Sequence, residues 1–170
     1  MSHDRTMSYP APVYLGDTGE VTARFRPVDT PPDLPRPNAG AASYLATGAS
    51  TNGRFGLYRW DMGTQPGGAQ PHFHRTISES FFVISGAVEL YDGSRWVETS
   101  PGDFAYVPEG GVHGFRNQSS EPASLLILFA PGAPREAYFE GLVEMAAGRW
   151  SPSHDELQAF LEEHDNIYVT

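Results

Sequence analysis

Four side chains in this sequence are of the types that together can grip a metal ion: His72, His74, Glu79 and His113. His72 and His74 stand at i and i+2, which on a strand places both imidazoles on one face of the pleat. Glu79 follows His74 by five residues, an odd offset that would send it to the other face of one continuous strand. The segment 75–78 is therefore expected to turn the chain, so that Glu79 opens a new strand facing the same interior. His113 lies 34 residues beyond Glu79, after the turn-forming Pro108-Glu109-Gly110-Gly111, and would complete a set of three histidines and one carboxylate. Such a set suits one divalent transition metal ion, whether Fe, Ni, Mn, Co, Cu or Zn, and ligand type alone does not choose among them. The ligand charge of −1 leaves a divalent site at +1 with open positions, able to take an anionic substrate oxygen, O2, or both. A histidine on its own is more often a surface or satisfied core residue, and His3, His154 and His164 are read that way.

The elements that must position these residues are short strands. From Ser43 to Ala130 the chain shows apolar or alternating runs broken by Gly, Pro and Asp-Gly, the pattern of an antiparallel sandwich or barrel. Strands are expected at 43–47, 55–62, 70–73, 79–85, 87–91, 95–99, 104–107, 112–117 and 123–130. Asp92-Gly93 marks a two-residue hairpin because both residues tolerate positive φ. Ahead of the strands, residues 1–40 form a proline-rich arm in which Pro27, Pro31, Pro32, Pro35 and Pro37 forbid helix and central strand. After them, residues 133–170 take on helical period. Tyr138, Leu142 and Met145 share one stripe, between Pro134 at the start and Gly148 at the stop. Ser153 and Glu156 form a capping box for a second helix carrying Leu157, Phe160, Leu161 and His164. Both helices are expected to pack on the barrel at 41–132 or on a partner subunit. With no internal repeat, the expectation is one all-β domain with an N-terminal arm and two C-terminal helices.

These residues and their punctuation resemble the signature of the cupins. The first cupin motif, G-x5-H-x-H-x3–4-E-x6-G, runs through His72, His74, Glu79 and Gly86. The second, G-x5-P-x-G-x2-H-x3-N, is met by Gly102, Pro108, Gly110, His113 and Asn117. One departure is the opening glycine, which falls at Gly67 or Gly68 where the spacing calls for Pro66. The match spans about Phe55 to Ala130 and implies a double-stranded β-helix, or jelly-roll, barrel. The stretches Leu45–Phe55 and Phe160–Val169 are similar to single-domain bacterial cupins of the quercetin dioxygenase-like kind. That resemblance implies His72, His74, Glu79 and His113 as metal ligands and Glu79 also as proton acceptor, with O2 as cosubstrate.

Alternation along the strands gives the expected pocket. If Glu79 faces inward, so do Phe81 and Val83, and Phe115 accompanies His113. Tyr58 or Trp60, Tyr106, Leu126 and Leu128 are further candidates. An aromatic-walled cavity around a metal suits a flat aromatic or polyketide-like molecule. The expected function is a quercetinase-like dioxygenase acting on a flavonol-like or enediol compound. Two alternatives stand beside it: metal-assisted cyclisation or isomerisation, and a cupin that binds metal or ligand without turnover.

Composition narrows the field. The 170 residues include no cysteine, which removes thiol nucleophiles, disulfides and cysteine-ligated metal. Eleven basic against 21 acidic residues give a net charge of −10, which repels nucleic acid and anionic lipid. Every one of the basic residues is Arg, so a Schiff-base lysine and a P-loop are excluded. No apolar run is long enough for a signal or membrane span, and a cytoplasmic protein is expected. Open strand edges call for cover, from which a homodimer is expected.

Overall fold

The computed structural model describes residues 8–36 and 39–169. His3 and Pro37 lie outside these. Among the described residues, eleven strands form two antiparallel sheets packed face to face, and two helices follow the tenth strand. The six-stranded sheet runs β1 (Leu34–Arg36), β2 (Gly40–Ala46), β3 (Gly56–Met62), β10 (Ala123–Ala130), β5 (Ser78–Ser85), β8 (Phe104–Val107). The five-stranded sheet runs β11 (Ile167–Tyr168), β4 (Gly67–Phe73), β9 (His113–Asn117), β6 (Glu89–Tyr91), β7 (Trp96–Glu98). This is a jelly-roll sandwich.

Strict alternation builds the core. On β3, Tyr58, Trp60 and Met62 are buried while Leu57, Arg59 and Asp61 are partly exposed. On β10, Leu125, Ile127 and Phe129 are buried against them. Tyr58 is the hub of an aromatic cluster, its ring edge-on to Tyr44, Phe129 and Phe139 at 5.2–5.8 Å between centroids. Such edge-to-face pairs add roughly 0.5–1.5 kcal/mol each beyond the burial itself.

Two strands have no counterpart in the sequence reading. β1 contains Pro35 and pairs only with β2, an edge position in which a missing N–H costs no ladder bond. β11 is two residues long and pairs Ile167 with Phe73 and Tyr168 with His72. The arm from residue 8 to 33 has no helix or strand and is largely exposed; Asp33 ties its end down by accepting from the Tyr44 N–H. The opening glycine of the first motif is resolved by backbone geometry. Gly68 has φ +153°, and a Cβ there would lie 2.0 Å from the Phe115 carbonyl oxygen across the β4–β9 pair. Gly67 carries no such constraint, so Gly68 is the position that must lack a side chain.

Helix α1 (Glu136–Ala146) buries Tyr138 and Phe139 into the open end of the sandwich and stops ahead of Gly148, whose φ is +67°. Helix α2 (His154–Glu163) begins with Ser153 and Glu156 in a reciprocal capping box. The helices meet where the Phe160 ring stacks on Tyr138 at 5.7 Å. Among the described residues, no helix is long and apolar enough to cross a membrane.

Candidate metal centre

Register brings the first two ligands together. His72 on β4 is the cross-strand partner of His113 on β9, after a bulge between Ala69 and His72 that re-aims the end of the strand. β4 ends at Phe73, and the chain turns at residues 74–77 before β5 begins at Ser78. The turn carries His74 over the centre and returns Glu79 to the inner face of the opposing sheet. Nε2 and carboxylate atoms of His72, His74, Glu79 and His113 lie within 4.8 Å of one another, and all four side chains are buried.

Backbone carbonyls orient the three imidazoles. Nδ1 of His72 meets the Gln70 carbonyl at 2.7 Å, Nδ1 of His113 meets the Gly111 carbonyl at 2.8 Å, and Nδ1 of His74 meets the Asp165 carbonyl. A carbonyl only accepts, so each Nδ1 carries a proton and each ring turns its Nε2 to the centre. Asp165 does more than lend its carbonyl. Its carboxylate accepts from the Arg75 and Thr76 N–H groups and from the Thr76 hydroxyl at 2.7–2.9 Å, clamping the turn that carries His74.

The donor chemistry calls for a cation. Nε2 of His74 and of His113 approach the same oxygen of Glu79, Oε2, at 2.9 and 2.8 Å. A ring nitrogen and a carboxylate oxygen stand that close only with a proton or a metal ion between them. Burial pushes the Glu79 carboxyl up, but the contacts from His113 and His74 outweigh it and hold the group well below the usual carboxylate range. Burial lowers His72 to about 4, so its ring is neutral and available as a ligand at physiological pH. For His113, burial pulls downward, but the hydrogen bond and charge of Glu79 and the Gly111 carbonyl together outweigh it, and the net direction is up. Three imidazoles and one carboxylate are donor types that fit a single divalent ion.

Two of the four, His72 and Glu79, line a cavity of about 600 Å³, within the size range of small-molecule sites. Of the pocket residues expected from sequence, Trp60 and Phe115 line it; Tyr58, Phe81 and Val83 lie inward but in the packed core outside its wall. Tyr106, Leu126 and Leu128 are corrected. Tyr106 is 61% exposed on the outer face of β8. Leu126 and Leu128 fall between the inward Leu125, Ile127 and Phe129, so the pleat turns them away. Sequence reasoning missed Ile127, Phe129, Phe139, Arg135, Asn166 and Tyr168, which also line it. A helical stripe reads as packing, and nothing in the sequence told that α1 and the segment after α2 face a cavity.

Residues 60–129 match the family model of the cupin domain. Over 61 residues the chain is 39% identical to an uncharacterized protein of Aquifex aeolicus, covering 36% of this chain and 50% of that protein. Over 89 residues it is 27% identical to quercetin 2,3-dioxygenase of Bacillus subtilis, covering 52% of this chain and 26% of that enzyme. The chain therefore spans half or less of the length of the curated relatives it matches. Among solved structures, the polyketide cyclase RemF of Streptomyces resistomycificus is similar at TM-score 0.52 and 25% identity, over 66% of this chain and 80% of RemF.

Proposed function

The chain belongs to the cupin superfamily, and from that premise we propose that it is a mononuclear metal enzyme, a dioxygenase acting on a flavonol-like or other aromatic enediol. The observation that carries this reading is the convergence of three carbonyl-anchored histidines and Glu79, of which His72 and Glu79 line an aromatic-walled cavity. A bound divalent ion would supply Lewis acidity there, favouring ionisation of a substrate hydroxyl.

The chain's own residues do the rest. Trp60, Phe115, Phe129 and Phe139 present flat apolar surface to a ring system and exclude water from it. Glu79 uses Oε2 toward His74 and His113, while its Oε1 makes no hydrogen bond with the described residues. Oε1 is therefore the atom that receives the substrate hydroxyl proton. Held in its present contacts the carboxylate is a weak base, so proton transfer accompanies a loosening of those contacts as substrate enters.

The test is oxygen uptake by the metal-loaded protein with quercetin, in wild type and in Glu79→Gln. Oxygen consumption that falls at least about 100-fold in the variant, as general acid–base roles typically show, is the expected result. Full turnover in a Glu79→Gln protein that keeps its metal would remove the proton-acceptor role. The similarity to a polyketide cyclase favours a second reading, cyclisation of an enolisable molecule without O2; conversion under strict anaerobiosis would select it. Tight quercetin binding without product would select a ligand-binding cupin.

We also propose that the molecule is a homodimer. Phe82, Phe104 and Tyr106, 43–65% exposed, stand together on the outer face of β5 and the edge strand β8, as the pairs Phe82–Phe104 and Ser80–Tyr106 require. A second copy is the cover that such an edge lacks. Light scattering at micromolar concentration is expected to give twice the chain mass, and Phe104→Asp to give the monomer with metal content unchanged; a wild-type monomer would refute the assignment.

A further inference from the structure

We infer that the cavity contains an anion-binding subsite built from Arg135 and Asn166, and that the molecule it takes is a carboxylate-bearing aromatic or enolic acid. This deepens the function proposed above and rests on it for the end of the ligand that meets the metal. It narrows the ligand class from neutral flavonols to acids.

Arg135 is the key residue. It is only 3% exposed, yet it lines the cavity with Glu79 and His72 and forms no ion pair among the described residues. One terminal nitrogen donates to the His164 carbonyl and the other to Asn166 Oδ1 at 3.3 Å. Three of its five N–H bonds thus have no acceptor there, the buried Nε–H among them. The rings of Tyr138 at 4.3 Å and Phe129 at 5.0 Å offer their faces to the cation. Such contacts compensate only part of the cost of burying a charge, which a guanidinium ordinarily recovers from a carboxylate or phosphate.

Asn166 repeats the pattern. It is 1% exposed, lines the same cavity, and once Oδ1 has accepted from Arg135 its Nδ2 has no partner among the described residues. Two adjacent buried side chains therefore hold N–H donors in excess of the acceptors that face them among the described residues. Buried donors are nearly always satisfied in folded proteins, so this pair marks a place where a ligand completes the set.

The charge of the wall points the same way. In a chain of net charge −10, the cavity lining carries Arg36, Arg135 and Arg149 against the single carboxylate of Glu79. Arg149 is paired with Glu144, whereas Arg36 stacks on Trp60 at 4.1 Å and its Nε has no partner among the described residues. A divalent ion on the four ligands would cancel the negative charge of Glu79 and leave that centre at +1. Arg135 would then share an enclosed space with a second positive centre. An anion spanning the two relieves both, one oxygen toward the metal and a carboxylate toward Arg135 and Asn166.

The experiment compares two probes of equal shape, 3-hydroxy-2-naphthoate and 3-hydroxy-2-naphthamide, by isothermal titration into cobalt-loaded protein. Hydrogen bonds to charged groups imply a preference for the acid of about tenfold or more. In Arg135→Met the preference is expected to fall below about threefold, with cobalt content unchanged. Because Arg135 also supports the His164 carbonyl, Arg135→Gln serves as a second neutral variant that keeps a donor for it. Unchanged preference in a neutral variant that retains cobalt would overturn the subsite, as would failure of wild type to bind either probe. Wild type that takes up no cobalt would instead sink the metal reading, and the acid-to-amide ratio on the metal-free protein would still decide whether Arg135 selects acids.

Discussion

Replacing His113 by alanine is expected to empty the site: from near one equivalent of divalent metal in wild type to less than about a tenth after desalting, with loss of turnover of at least about 100-fold. The variant removes one of three Nε2 donors and leaves Glu79 Oε2 facing His74 alone. The fold should persist, because β9 is held by backbone pairing to both β4 and β6. Plasma mass spectrometry reads the metal directly, and thermal unfolding reads it by linkage. A ligand at 1,000 times its Kd stabilises the native state by about 4 kcal/mol. Added metal should therefore raise the wild-type midpoint and leave that of the variant where it was. A His113→Ala protein that held stoichiometric metal would show that the ion is bound elsewhere or by the other three groups alone.

The second large effect is expected at Asp165, which touches no metal. Asp165→Ala removes an acceptor that satisfies two backbone N–H groups and one hydroxyl in the turn before β5. It also places alanine at φ 51°, a conformation that Asp tolerates better. Hydrogen bonds to a charged acceptor are worth about 1.5–3 kcal/mol each when well formed, and this carboxylate is partly exposed. A destabilisation of about 2–4 kcal/mol is therefore expected. His74 loses its fixed partner at Nδ1 as the Asp165 carbonyl shifts, and outer partners of this kind contribute 10–100-fold in metal affinity. Chelator competition measures the affinity, and denaturant unfolding measures the stability. Asp165→Asn, which keeps the αL preference and one acceptor oxygen, should lie between. If Asp165→Ala bound metal as tightly as wild type, the carbonyl would be a bystander to the orientation of His74.

The strands and turns of the barrel were readable because their punctuation is local. Asp92-Gly93 and the Pro108–Gly111 turn sit between alternating runs, and strands 104–107 and 123–130 carry those bounds in the structure. What escaped was long-range. In Ala123–Ala130 nearly every residue is apolar, so alternation gives no contrast, and which leucines face inward follows only from pairing with β3 and β5. β11 is too short to leave a periodic trace and exists because β4 offers it an edge. The four-residue cluster was legible, since its spacing is tied to a strand, a turn and a second motif. Its support was not: Asp165 and Arg135 lie 91 and more than 60 residues from His74, and both read as ordinary polar residues at helix boundaries.

The distance along the chain between His74 and the carbonyl that holds it bears on how the protein is made. During synthesis the ligands at 72, 74, 79 and 113 emerge in order and can begin to pair as sheets, yet His74 remains unanchored until residue 165 has followed, 91 positions later. Closing so long a loop comes late in folding, because the entropy of joining distant segments must be met before their contacts compensate it. A ribosome-bound chain halted after β10 would hold metal loosely, and tight uptake would begin only once Asp165 and β11 had docked. Metal loading at these four residues would then follow the docking of Asp165, so that chains in which the helices have folded would fill ahead of those in which they have not.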